Sequence, residues 1–113
     1  MVQMISVPQA AQLLRQGGAQ AVDVRRREEY AAGHIPGAVL LPLNTLTRNA
    51  VQQLPDRDAL LLVYCRSGSR ARTACELLER LGYRRVRDLG GLLGWPYPLE
   101  IGCPLGGRTK NLE

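Results

Sequence analysis

The chain of 113 residues has no phenylalanine, one tryptophan, one histidine and a single lysine, Lys110. So few aromatic side chains leave no platform for stacking bases, and no basic stripe is interleaved with rings, so a nucleic-acid partner is not expected. No apolar run approaches the ~20 residues needed to cross a bilayer. The N-terminal stretch MVQMISVPQAAQLLRQ lacks a charged region followed by an apolar core, the pattern of a secretory leader. Cysteines are sparse and odd in number, at positions 65, 75 and 103, with no close pair. That argues against a disulfide framework and fits a reducing compartment, so the expected location is cytoplasmic, with no membrane partner. No cysteine or histidine stands at zinc-ligand spacing, so neither a metal nor a cofactor is expected.

What is present is apolar residue and arginine. At 45% apolar residues the chain is too hydrophobic to be disordered at its formal charge of +5, and its length suits one domain with a real core. A basic balance carried almost wholly by arginine suits a small anionic ligand.

Along the chain, strands and helices alternate. A short strand is expected over residues 4–7, then a helix opened by Pro8 and ended by Gly17 and Gly18. AQAVDV reads as a buried strand, RREEYAAG as a short helix closed by Gly33, and residues 38–41 as a strand after the turn at Pro36 and Gly37. Residues 44–54 read as a helix. ALLLVY, a continuous apolar run, is expected to be a central parallel strand covered on both faces. SRARTACELLERLG is a helix with Ala71, Ala74, Leu77, Leu78 and Leu81 on its apolar side. YRRVRDL gives a strand around Val86, and GGLLGW a turn with room for one helical turn. Without repeat or linker this is one α/β domain with a mostly parallel sheet, over residues 1–100, followed by an irregular tail, 101–113.

The stretch YCRSGSR puts Cys65, Arg66, Ser67, Gly68, Ser69 and Arg70 where the central strand becomes a helix. In open α/β sheets, ligands bind at the carboxyl ends of strands. The first amides of a helix lack internal partners and favour an anion. An ordinary cysteine has a pKa of ~8.5, and lowering a thiol by roughly two takes about 2.7 kcal/mol. A helix terminus supplies at most ~2 kcal/mol, so neighbouring cations and amides must supply the rest. Arg66 and Arg70 are the nearest cations, and Gly68 lets the backbone curl. These residue types in this order point to an activated sulfur nucleophile, Cys65, in an anion pocket.

Two stretches together resemble the single-domain rhodanese family of sulfurtransferases. VDVRRREEYAAGHIPGAVLLPL matches the Asp-Val-Arg, Glu-Tyr and Gly-His-Ile-x-Gly-Ala signature, and VYCRSGSRARTACELLERLGYRRVRDLGGLLGW matches the cysteine loop, its helix and a later Gly-Gly. The resemblance implies a central parallel sheet of five strands flanked by helices on both faces. It implies that Cys65 takes the sulfane sulfur of thiosulfate as a persulfide and passes it to cyanide or a thiol. Amides of residues 66–70 would hold the terminal sulfur, and Arg66 and Arg70 the sulfonate. Asp23 and Arg25 read as a supporting ion pair and Trp95 as part of the pocket wall. His34 belongs to a structural turn, Cys75 to the core, and Cys103 is either an idle thiol or one that resolves the persulfide. The chain departs from the pattern after Trp95, where PYPLE follows at once in place of a longer closing stretch. Two other readings stay open, a persulfide carrier serving a partner protein and a binding module without turnover. Phosphatase or arsenate-reductase chemistry is disfavoured, because those loops carry their arginine one position later, where this chain has Ala71.

Overall fold

A computed structural model describes residues 2–103. Five strands form one wholly parallel sheet: β1 (Gln3–Met4), β2 (Gln20–Asp23), β3 (Val39–Leu40), β4 (Leu60–Cys65) and β5 (Arg85–Gly91), in the order β1-β5-β4-β2-β3. Between them lie α1 (Val7–Arg15), α2 (Arg27–Ala32), α3 (Leu46–Gln53) and α4 (Ser69–Arg80).

The run LLLVYC explains the layering. Side chains alternate across a strand, so Leu61, Val63 and Cys65 enter the core under α3 and α4, and Leu62 and Tyr64 enter the core under α1 and α2. Both faces of β4 are thus covered, as its unbroken hydrophobicity required. The carboxyl ends of β2, β3 and β4 meet at one edge, where the cysteine loop starts.

Several element boundaries differ from the sequence expectation. The first strand is only Gln3–Met4, because Ser6 caps α1: its hydroxyl accepts the Gln9 amide and the Gln9 side chain reaches back, which starts the helix at Val7. Residues 43–45 form a 3₁₀ turn ahead of α3. GlyGly at 90 and 91 is not a turn. β5 runs through both, with a bulge at Leu89 that shifts the pairing from Val63–Asp88 to Tyr64–Gly90 and Cys65–Gly91.

After a 3₁₀ turn at Leu92–Gly94 no helix follows among the described residues. The chain instead runs back along α2, where Glu100 pairs with His34 in an antiparallel bridge and the Gly102 amide donates to the Ala31 carbonyl at 2.8 Å. Residues 101–103 are therefore tied to the domain. The rest of the expected tail, 104–113, lies outside the described residues.

Candidate active site

Cys65 is the last residue of β4 and is wholly buried. The chain then turns over Gly68, whose φ of 115° is open to glycine and strained for other residues. This curl aims the Gly68 amide back at the sulfur, which accepts it at 2.9 Å. Gly68 also accepts the Arg72 amide at 3.1 Å, so the loop passes directly into α4. The Arg66 carbonyl accepts the Leu93 amide at 3.3 Å, pinning the loop to the segment after β5. Arg66, Ser67 and Ser69 are exposed.

The two loop arginines, expected to act together, are placed differently. Among the described residues the Arg66 side chain makes no hydrogen bond or ion pair. Arg70 is engaged in a bidentate pair with Glu29, at 2.8 and 3.0 Å. The Glu29 carboxylate also accepts the Arg26 amide at 2.9 Å at the start of α2, so it links that helix to α4. Hydrogen bonding from Arg70 holds the Glu29 carboxyl well below its ordinary value of 4.5, at about 2. A lowered carboxyl contributes stability that is complete above its ordinary value and is lost as pH falls toward the lowered one. Thermal melts between pH 4.5 and 2 are therefore expected to fall more steeply for the wild type than for Glu29→Gln; parallel curves would remove this pair from the acid response.

Asp23 and Arg25 form the expected ion pair. The Arg25 guanidinium donates to Asp23 at 2.8 and 3.0 Å and to the Gly33 carbonyl at 2.7 Å, and lies over the Tyr64 ring. Both residues are buried, so each charge depends on the other. The Tyr64 hydroxyl accepts the Ile35 amide at 3.1 Å, and burial, then the Asp23 charge, push its pKa upward and keep it neutral. The network ties β2, β4 and the Gly33–Ile35 turn together beneath the loop. Beside it, Arg25, Arg26, Leu43, Asn44 and Arg70 line a cleft of about 340 Å³.

The remaining candidates lie elsewhere. Trp95 does not line the cleft by the cysteine loop. It sits with Leu14, Ile35, Pro36 and Tyr97 in an apolar groove over α1, its ring edge-on to Tyr97. Its place follows from the chain turning back after Gly94 toward α2. His34 is buried in its turn, stacked on Tyr30 at 3.7 Å with Nδ1 2.8 Å from the Tyr30 carbonyl. Burial pushes the Cys75 thiol up to about 12, as a core residue requires. Cys103 packs against the α1/α2 core and Cys65 belongs to the α3/α4 core, so the two thiols lie on opposite faces of the sheet. The sequence places Glu28 and Glu29 near Asp23 and Arg25, but it shows neither the pairing of Glu29 with Arg70 nor any part for Gly91.

The sequence pattern of the rhodanese-like domain matches residues 6–96. A sulfurtransferase of Allochromatium vinosum is 40% identical over 87 residues, covering 75% of this chain and 79% of the relative. A human thiosulfate:glutathione sulfurtransferase is 36% identical over 100 residues, covering 77% and 86%. Among solved structures, the rhodanese-like domain of an Anabaena protein superposes with a TM-score of 0.80 at 28% identity, covering all of this chain and 88% of that one.

Proposed function

Since the chain belongs to the rhodanese-like domain family, we propose that it is a sulfurtransferase that takes sulfur from thiosulfate, or a similar small anionic donor, onto Cys65. The observation that carries this is the Cys65 sulfur at a strand end, hydrogen-bonded by the Gly68 amide at 2.9 Å at the mouth of α4, with an arginine on the same loop, Arg66, that has no side-chain partner among the described residues. The Cys65 thiolate attacks the outer sulfur of thiosulfate. A sulfur–sulfur bond forms to Cys65, the bond inside the donor breaks, and sulfite leaves with its electron pair. A thiol acceptor, or cyanide in the test tube, then attacks the outer sulfur of the persulfide and releases the Cys65 thiolate. The loop amides stabilise the terminal sulfur anion, and Arg66 meets the sulfonate. No metal or cofactor takes part in these steps.

Cys65 is fully buried in the resting loop, so donor entry requires a local displacement of the 66–69 segment. The relative that pairs thiosulfate with glutathione supports a small thiol as acceptor. A protein acceptor finds support in Leu93, 73% exposed beside Arg66. All three cysteines are free thiols, which suits work in the cytoplasm.

Mass spectrometry of the intact protein after incubation with thiosulfate tests the reading, and its outcome is argued in the Discussion. A second test concerns Arg70. Arg70→Ala removes a cation near the sulfur and leaves the Glu29 carboxylate without its partner, so the KM for thiosulfate is expected to rise about tenfold, while stability falls by about 1 kcal/mol, as for a partly exposed pair. An unchanged KM would remove Arg70 from the surroundings of the anion.

A further inference from the structure

We infer that Glu29 is a positioning residue that sets how tightly the Cys65 loop holds an anion, by keeping Arg70 in a fixed pair and offsetting its charge. The inference rests on the reading of that loop as an anion site. It names a residue outside the loop as the determinant of donor affinity.

Charge pairing around the cleft leads to it. Arg25 is matched by Asp23 at 2.8 Å, and Arg70 by Glu29 through both guanidinium nitrogens. The Arg26 guanidinium is 3.9 Å from the same Glu29 oxygen. One carboxylate therefore serves two of the three arginines lining the cleft. Arg66 alone on the loop has no carboxylate partner among the described residues. The hydrogen bonds to Glu29 hold Arg70 charged against the opposing cost of burial, with a smaller electrostatic contribution from Cys65.

A bidentate pair also fixes direction. With NH1 and NH2 facing Glu29, Arg70 acts on a bound anion through its field and its outward hydrogens, not through a fork of its own. Such a loop binds its donor less tightly than its arginine content suggests. The same moderation helps the leaving anion depart, because sulfite, like thiosulfate, is a dianion.

Inorganic sulfate is the probe, because it does not react, and its dissociation constant is read at fixed low ionic strength from protection against thermal unfolding. Glu29→Gln keeps an oxygen for Arg70 and removes the charge. It is expected to bind sulfate about three- to tenfold more tightly and to lower the KM for thiosulfate by a similar factor without raising kcat. Arg70→Gln is expected to bind sulfate more weakly. The double variant Glu29→Gln with Arg70→Gln, which restores the charge balance, is expected to return to wild-type affinity. A purely structural role for Glu29 predicts a lower Tm with sulfate affinity unchanged, and that result overturns the inference, as does a double variant no closer to wild type than either single one. If Glu29→Gln unfolds, the comparison of the double variant with Arg70→Gln decides: equal sulfate affinities would overturn the inference. Tighter sulfate binding by Glu29→Gln in a protein that never takes sulfur from thiosulfate upholds the inference and overturns the proposed donor.

Discussion

Cys65→Ser is expected to fold like the wild type and to take up no sulfur from thiosulfate. The site favours the swap structurally. The side chain is buried in the core between the sheet and α4, serine is slightly smaller than cysteine, and its hydroxyl oxygen can accept the same Gly68 amide. A loss of about 1 kcal/mol in stability is the ordinary cost of such a change. Chemistry does not survive it, because a serine hydroxyl carries almost no anion near neutral pH and cannot form a persulfide, so transfer is expected to fall by about 10⁴-fold or more. Intact mass reads this directly: wild type gains one sulfur atom from thiosulfate and loses it to cyanide, and the variant does neither. Cys75 and Cys103 serve as internal controls. The first is held protonated by burial, with its pKa near 12, and the second lies on the far face of the sheet. Sulfur retained on Cys65→Ser would sink the mechanism. A folded wild type that gains no sulfur would shift the assignment to a carrier loaded by a persulfidated partner, or to a binding module.

The central parts of this arrangement were legible in the sequence because they depend on local patterns. An unbroken apolar run bounded by turns can only be covered on both faces, and β4 is. A cysteine at the end of that run, before a helix, had to stand at the carboxyl edge of the sheet. Asp23 and Arg25 lie so close in sequence that their pairing follows from a strand ending in a turn. What the sequence hid depends on contacts between distant segments. Arg70 reads as a loop cation for the donor and Glu29 as a carboxylate near Asp23 and Arg25; only the meeting of α2 with α4 makes them a pair. Trp95 followed the resemblance to the pocket wall, but the abrupt Pro-Tyr-Pro that follows turns the chain toward α2 and carries the ring with it. Gly90 and Gly91 read as punctuation, the usual meaning of paired glycines, because nothing local distinguishes a turn from a strand that must run against another backbone.

That last misreading identifies the most sensitive position for stability. At Gly91 a methyl group would stand 2.3 Å from the Arg66 carbonyl oxygen and 2.8 Å from the Ser67 α-carbon. Both are backbone atoms of the cysteine loop and cannot rotate away as a side-chain tip would. Gly91 itself has an ordinary extended backbone, φ −110° and ψ 143°, so alanine there meets no conformational penalty and any effect is steric. Gly90 is the opposite case: φ is 88°, and nothing lies within 4 Å of its added methyl. Gly91→Ala is therefore expected to cost about 3 kcal/mol, the upper part of the range for overpacking. In a domain of this size that lowers Tm by about 10–20 °C. Gly90→Ala is expected to cost only the left-handed backbone term, about 1–2 kcal/mol. The two also separate in function. Displacing Arg66 and Ser67 moves the loop proposed to hold the anion, so Gly91→Ala is expected to lose sulfur uptake even at temperatures where it remains folded, while Gly90→Ala retains it. Thermal melts of both variants, with intact mass after thiosulfate taken well below each midpoint, check the pair of expectations. Equal melting temperatures would show that β5 yields to the loop, and normal uptake by Gly91→Ala would show that the loop takes its shape from Gly68 and α4 alone.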